Sequence, residues 1–125
     1  MELTTFWRGR RVLVTGQTGF KGAWLCLWLE ELGARVSAVA LAPDTSPSLY
    51  ELLVPWRSES HDIQDIRDRV ALRETFVAAA PEIVIHMAAQ ALVRPSYDDP
   101  VETFETNVMG TVNVLEAARA CETIQ

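Results

Sequence analysis

The feature that most constrains the fold is an apolar segment followed by three glycines and a second apolar segment. Residues 12–15 are apolar or β-branched without alternation, as in a strand buried on both faces of a parallel sheet. Gly16, Gly19 and Gly22 follow at a spacing of three. Apolar side chains then recur at three- and four-residue steps and predict one wide helical face, which Gly33 ends as a C-cap; the face consists of Phe20, Trp24, Leu25, Trp28, Leu29 and Leu32. The pattern predicts a strand, a tight turn and a helix.

A glycine turn between a strand and a helix is typical of a dinucleotide-binding site. Glycine permits a positive φ, a close approach of the backbone to a pyrophosphate and tight packing of the helix on the strand. The helix N-terminus offers free N–H groups to phosphates. A purely structural turn is the alternative, but the flanking strand and helix favour dinucleotide binding. We expect the ammonium group of Lys21, in the first helical turn, to be solvated.

The rest of the chain alternates strands with helices, which predicts a doubly wound parallel α/β sheet of the Rossmann type with strand order 3-2-1-4. Asp68 is the expected N-cap of the second long helix and Pro100 the expected first residue of the last one. The predicted segments are a strand at 35–41, a helical turn at 48–53, a strand at 58–64, a helix at 68–80, a strand at 82–88, a polar loop at 90–99 and a helix from 100 onward.

Composition excludes several classes of function. The net charge is −6, which argues against binding to nucleic acid. No apolar run approaches the roughly 18–20 residues that a bilayer-spanning helix needs, and no signal peptide is evident, so we expect no membrane association and a cytoplasmic location. Cys26 and Cys121 have no partner at ligand spacing, which predicts neither a metal site nor a disulfide.

The end of the second strand normally supplies an acidic residue for the adenosine ribose. Here that position reads Leu41-Ala42-Pro43, and Asp44 is the nearest acid. No Arg is present there to pair with a 2′-phosphate. The segment therefore does not distinguish NAD from NADP.

Two further segments follow predicted strands and are candidates for the same site. Asp65 can accept a hydrogen bond from the adenine amino group and Ile66 can cover the ring, although an exposed loop Asp beside a core Ile is the alternative. The small residues Ala88 and Ala89, followed by Gln90, would let a ribose approach the backbone, although a simple strand-ending bend is the alternative.

Three single residues carry weaker signals. His86 lies within an apolar strand, which favours a hydrogen-bonded core histidine over a catalytic one. Asn107 borders an apolar helical stripe and must find partners if buried, for which nearby backbone or water is the natural choice, although an exposed helical Asn is an equal alternative. Arg94 in the polar loop could reach a substrate phosphate, but solvation is the more common state of such a residue.

Four segments together resemble the extended short-chain dehydrogenase/reductases. They are residues 15–22 (TGQTGFKG), 65–68 (DIRD), 86–90 (HMAAQ) and 107–111 (NVMGT), in the order expected for that superfamily. The Gly-Phe-Lys-Gly turn with Trp24 and Trp28, and residues 90–94 followed by Ser96 and Tyr97, resemble the CDP-glucose 4,6-dehydratases within it.

The resemblance implies a bound NAD that takes a hydride from C4 of a nucleotide sugar and returns it to C6 after water is lost across C5–C6. It implies that the pyrophosphate contacts Gly16, Thr18, Gly19, Phe20, Lys21 and Gly22. It places the adenine on Asp65 and Ile66, and the ribose and nicotinamide along Ala88, Ala89 and Gln90. Asn107 matches the helix Asn that supports the active site.

The chain departs from the family in lacking its catalytic Tyr-x-x-x-Lys pair, because Tyr50 is followed at that spacing by Val54 and Tyr97 by Val101. We therefore expect residues 1–125 to be the N-terminal part of the cofactor domain, without later strands or a substrate domain, and inactive alone. A free-standing nucleotide-binding or regulatory module and a fragment of a nucleotide-sugar epimerase are the alternatives.

The last predicted helix also carries an apolar stripe. The matching helix pairs subunits in the family, so the resemblance implies a homo-oligomer through residues 101–120. The stripe consists of Val101, Phe104, Val108, Val112 and Leu115.

Overall fold

The computed structural model describes residues 2–125 as a four-stranded parallel sheet with helices on both faces. The strands are β1 (Arg11–Thr15), β2 (Arg35–Ala40), β3 (Ser60–Ile63) and β4 (Ile83–His86). The helices are α1 (Leu3–Trp7), α2 (Phe20–Glu31), α3 (Leu49–Leu52), α4 (Arg69–Ala79), α5 (Val93–Asp98), α6 (Pro100–Phe104) and α7 (Gly110–Arg119), with a π-helical turn at Glu105–Met109 between α6 and α7.

The strand order β3-β2-β1-β4 confirms the predicted topology. The crossovers place α2 against one face of the sheet, with α3 in contact with α2, and place α4 and α7 against the other face. Alternate residues of β1 point to opposite faces, so each face has its own apolar core. One core contains Val12, Val14, Cys26, Leu29, Val36 and Ala38, and the other contains Leu13, Val39, Ile66, Leu72, Phe76, Val114 and Ala117.

Local sequence signals set the helix boundaries. The Asp68 carboxylate accepts a hydrogen bond from the Ala71 N–H at 3.1 Å, which confirms the predicted N-cap of α4. Pro100 is at the start of α6, where its missing N–H costs no hydrogen bond, and Asp99 caps that helix. Gly33 ends the first long helix with a φ of +84°, as expected of a glycine C-cap.

The face of α2 that packs on the sheet is made of small residues rather than of its aromatic ones. Gly22, Ala23, Cys26 and Leu29 are buried. The aromatic residues of the predicted apolar face are instead exposed, namely Phe20, Trp24 and Trp28. The reason is steric, because the first turn of α2 approaches the glycine turn so closely that a Cβ on Gly22 would overlap the carbonyl oxygen of Gly16.

The segment between β2 and β3 is anchored to the end of α2 by buried polar groups. The Glu30 carboxylate accepts hydrogen bonds from the Ser58 hydroxyl and, at 3.2 Å, from the Arg57 N–H. His61 Nε2 lies 2.7 Å from the same hydroxyl, and the His61 ring stacks on Trp56. Burial raises the pKa of Glu30 and lowers that of His61.

The predicted polar loop at 90–99 differs from the structure, which contains the short helix α5 at Val93–Asp98. Because helix α5 buries no residue, its sequence has no apolar periodicity from which a helix could be predicted. Among residues 2–125 no helix is long and apolar enough to cross a membrane. The same residues contain no cluster of three His, Cys, Asp or Glu side chains arranged to hold a metal ion.

Candidate functional site

The glycine turn joins β1 to α2 at the carboxyl end of the sheet. Gly16 has a φ of +90°, and a Cβ there would lie 2.8 Å from the Ala88 nitrogen. Its N–H donates to the Val39 carbonyl at 2.9 Å, which continues the pairing with β2. The close backbone contacts of the fold therefore require glycine at positions 16 and 22, with or without a ligand.

Gly19 has a different reason to be glycine. Its φ of −77° and ψ of 164° are accessible to any residue. A Cβ there would meet only the Gly16 carbonyl oxygen, at an ordinary contact distance of 3.5 Å. Because the protein leaves this space open, the missing side chain fits a site where a ligand approaches the backbone. The residues present thus fit the pyrophosphate of a dinucleotide.

The start of α2 forms the other part of this candidate pyrophosphate site. Gly19 is the N-cap, and no side chain caps the first turn. The first N–H groups of a helix have no intrahelical partner and carry a partial positive charge, which favours a phosphate. Phe20 and Lys21 of this turn are exposed. The Thr18 hydroxyl donates to the Leu41 carbonyl at 2.7 Å and ties the turn to the end of β2.

The ends of β1 and β4 are joined beside the turn by one hydroxyl group. The buried Thr15 side chain accepts hydrogen bonds from the Met87 N–H at 3.0 Å and the Ala88 N–H at 3.1 Å. These contacts hold the backbone of Ala88 against Gly16. The structure therefore brings the glycine turn and the Ala88 segment together, as the sequence predicts.

Asn107 fixes the next part of the same segment from the other side. Its side-chain oxygen accepts from the Gln90 N–H at 2.8 Å, and its side-chain nitrogen donates to the Gln90 carbonyl at 3.0 Å. The prediction that Asn107 would find a backbone partner is confirmed. Asn107 lies in the π-helical turn, a feature that occurs often at functional sites.

His86 is a hydrogen-bonded histidine inside the fold, as the sequence predicts. Its Nδ1 lies 2.6 Å from the Thr15 hydroxyl and its Nε2 lies 3.0 Å from the Thr111 hydroxyl. Burial lowers the pKa of His86, which favours a neutral ring at pH 7.

Asp65 and Ile66 lie beyond the end of β3, two strands away from the glycine turn. At about 4.8 Å per strand this is a lateral separation of about 10 Å. Both oxygens of Asp65 accept from the Arg67 guanidinium, which lowers the pKa of the Asp65 carboxyl. The Ile66 side chain is only 4% exposed and belongs to the core. The adenine contact of this pair stays a prediction.

The remaining candidates are on the surface. Ala89 is exposed beside Ala88, and Arg94 is exposed on α5. Asp44, the acid nearest to the end of β2, is exposed as well. The structure thus adds no partner that would distinguish NAD from NADP at this position.

Sequence reasoning gave no role to four polar residues that shape this site. Thr15 and Thr111 hold His86, Thr103 accepts from the Gln90 side chain at 3.2 Å, and Asn113 donates to the Ile66 carbonyl at 3.0 Å. Thr111 follows Asn107 by four residues, one helical turn, which is the only signal that could have suggested a link.

Comparison with known proteins gives a consistent picture. The family model described as GDP-mannose 4,6 dehydratase matches residues 13–125. The CDP-glucose 4,6-dehydratase of Salmonella typhimurium is 56% identical over 115 residues, which are 91% of this chain and 32% of that protein. The chain therefore spans about a third of the length of this relative.

Two of the solved structures that share this fold are epimerases. Epimerase Mth375 from Methanothermobacter thermautotrophicus has a TM-score of 0.82 and 31% identity, covering 98% of this chain and 35% of that one. The UDP-glucose 4-epimerase of Thermus thermophilus, solved in complex with NAD, has a TM-score of 0.74 and 37% identity over 87% of this chain and 33% of that one.

Proposed function

This chain belongs to the family described by the GDP-mannose 4,6 dehydratase model, and on that premise we propose that it is the N-terminal, NAD-binding part of a nucleotide-sugar 4,6-dehydratase. The 56% identity to a CDP-glucose 4,6-dehydratase supports CDP-glucose as the substrate of the whole protein and CDP-4-keto-6-deoxyglucose as its product. Bound NAD would supply a hydride acceptor for C4 and a hydride donor for C6.

The observation that carries this proposal is the open space at Gly19 in front of an uncapped helix N-terminus. Residues of the turn would hold the pyrophosphate through their backbone N–H groups. The backbone of 88–90, fixed by Thr15 and Asn107, would lie along the ribose and nicotinamide. Asp65 and Ile66 would bind the adenine on the opposite side of β1. This division across β1 matches the switch point at which doubly wound sheets bind dinucleotides.

Residues 1–125 contain no Tyr-x-x-x-Lys pair, so in this proposal they bind the cofactor and supply no catalytic group. The gene segment after the codon for Gln125 tests this assignment. A further strand followed by Tyr-x-x-x-Lys is expected, whereas a stop codon at that point would favour a free-standing nucleotide-binding module.

A fragment of a nucleotide-sugar epimerase is the second candidate, favoured by the epimerases among similar structures. Product analysis of the full-length protein with CDP-glucose separates the two. A dehydratase yields a 4-keto-6-deoxy sugar and releases water. An epimerase instead yields a sugar inverted at C4 with no loss of mass.

The NAD proposal is tested by isothermal titration of the chain with millimolar NAD. We expect weak, saturable binding by the wild type and none by Gly19→Val, because the valine side chain would fill the space left for the pyrophosphate. The exposed Glu74→Ala on α4 is the matched control and should bind like the wild type. Absence of binding by the wild type, or equal binding by Gly19→Val, would contradict the proposal. A parallel titration with NADP resolves the choice that residues 41–44 leave open.

We also propose that the chain self-associates through residues 101–120 and works in the cytoplasm. The apolar stripe of this region is exposed in the monomer, with Val101 at 66%, Phe104 at 67% and Leu115 at 63%. Contiguous exposed apolar surface of this kind marks interaction sites. Two separate free thiols, Cys26 and Cys121, are consistent with a reducing compartment.

A further inference from the structure

A chain of hydrogen bonds crosses the sheet at its carboxyl end and passes through His86. Thr15 and His86 are partners in the β1–β4 register, each at the end of its strand. Thr15 Oγ1 lies 2.6 Å from His86 Nδ1, and His86 Nε2 lies 3.0 Å from Thr111 Oγ1. The Thr111 hydroxyl in turn donates to the Asn107 carbonyl at 2.6 Å.

The partners determine where each hydrogen lies. A carbonyl oxygen can only accept, so the single hydroxyl hydrogen of Thr111 points to Asn107. Thr111 Oγ1 must then accept from His86, which places the ring hydrogen on Nε2. The neutral ring has no second N–H, so Nδ1 accepts the hydroxyl hydrogen of Thr15. The Thr15 oxygen keeps its lone pairs for the N–H groups of Met87 and Ala88.

The two ends of this series of hydrogen bonds hold the same segment of backbone. Thr15 binds the N–H groups at 87 and 88, and Asn107 binds both backbone groups of Gln90. Residues 87–90 begin directly after His86, so the segment and the hydrogen bonds form a closed loop. No other side chain of similar size places an acceptor and a donor on opposite sides of one rigid ring.

We propose that His86, as the neutral Nε2–H tautomer, is a positioning residue that couples Thr15 to Asn107 through Thr111 and so fixes the backbone of residues 87–90. This inference rests on the proposed function in assigning that backbone to the cofactor. His86 itself does not touch the cofactor. Its effect on binding is transmitted through the two threonines.

Thr111→Val tests the coupling because it removes only the hydroxyl and keeps the branched shape. We expect a roughly fivefold rise in the dissociation constant for NAD, the size expected when one buried hydrogen bond is lost. Thr111→Ser retains the hydroxyl and should restore binding to within about twofold of the wild type. Thr123→Val is the matched control, because it breaks a half-buried hydroxyl contact with the Pro81 carbonyl, before the start of β4 and away from the glycine turn, and should leave NAD affinity unchanged.

A second measurement needs no cofactor. Long-range ¹H–¹⁵N correlation of the His86 ring should show the Nε2–H tautomer in the wild type and in Thr111→Ser. In Thr111→Val the tautomers should mix, and the backbone N–H resonance of Gln90 should shift. In Thr123→Val neither signal should change.

Two results would overturn the inference. One is an Nδ1–H tautomer in the wild type. The other is a Thr111→Val variant that loses stability like Thr123→Val while its Gln90 resonance and NAD affinity stay at wild-type values. If the wild type fails to bind NAD, the proposed function fails, but the tautomer and the Gln90 resonance still decide the coupling.

Discussion

At the scale of single residues, the two histidines show how partners determine the role of a buried ring. His86 has a hydroxyl on each ring nitrogen. His61 has Ser58 on Nε2, whereas its Nδ1 is buried without a partner within the described chain. Burial lowers the pKa of both rings.

The lowered pKa of His86 predicts a pH dependence of stability. The unfolded ring has a pKa near 6.5 and the folded one titrates below it. The folded state therefore binds fewer protons, so the contribution of His86 is fully present above pH 6.5 and is lost as the pH falls from that value through the lower pKa of the folded ring. Urea unfolding between pH 7.5 and 5.5 should show a smaller decrease in unfolding free energy for His86→Gln than for the wild type.

That comparison also removes the opposing effect of Glu30. Burial raises the pKa of Glu30, which favours the folded state as the pH falls, equally in both proteins. Parallel pH curves for the wild type and His86→Gln would show that the ring does not titrate differently on folding.

At the scale of elements, α2 shows why hydropathy alone misassigns a helix face. The apolar spacing predicts one wide face that includes Trp24 and Trp28, although apolar side chains lie on all sides of this helix. Contact with the glycine turn then selects the small residues, and Trp24 and Trp28 are left 48% and 56% exposed. Burial in α2 is thus decided by close approach and not by hydrophobicity.

Two neighbouring substitutions in α2 test this assignment. Leu29 is 2% exposed, and Leu29→Ala should lower the unfolding free energy by about 2–5 kcal/mol through the cavity it leaves. Trp28 is 56% exposed, and Trp28→Gln should change the unfolding free energy by no more than about 0.5 kcal/mol. Chemical denaturation of the two variants at one pH measures both values. A larger loss for Trp28→Gln than for Leu29→Ala would reverse the assigned face.

At the scale of the whole molecule, the two sides of the sheet end in different surfaces. The α2 side presents aromatic residues, and the α7 side presents the aliphatic stripe with Phe104. The α6 end of that stripe borders one shallow, mainly apolar hollow of about 400 Å³, which is lined by Pro100, Val101, Phe104, Glu105, Val108 and Met109. A hollow lined by side chains of a two-fold interface can receive the same side chains of a second copy.

We expect the chain to form dimers through this stripe, and Phe104→Glu should abolish them because it places a charge in the apolar contact. Leu52→Glu on α3 is the control, since Leu52 is 71% exposed on the other side of the sheet. Sedimentation velocity over a range of concentrations should show association in the wild type and in Leu52→Glu only. A wild type that remains monomeric at the highest concentration would refute the interface.

The sequence by itself determined the strand order, the glycine turn, most helix boundaries and the family. These features depend on local signals, namely β-branched runs, helical periodicity, caps and the spacing of glycines, which short segments carry on their own. Asp68, Pro100 and Gly33 each act on the few residues beside them. For the same reason Gly16 and Gly22 could be assigned before any contact was known.

Only the tertiary structure decided which side of α2 is buried, that residues 93–98 form a helix, and how His86 connects Thr15 to Asn107. These outcomes depend on atoms far apart in the chain: Thr15 and His86 are 71 residues apart, and His86 and Thr111 are 25 apart. No local sequence pattern predicts which hydroxyl group will face which nitrogen of the His86 ring. The parallel sheet brings them together, because the carboxyl ends of all its strands meet at one edge, beside the turn of Gly16, Gly19 and Gly22.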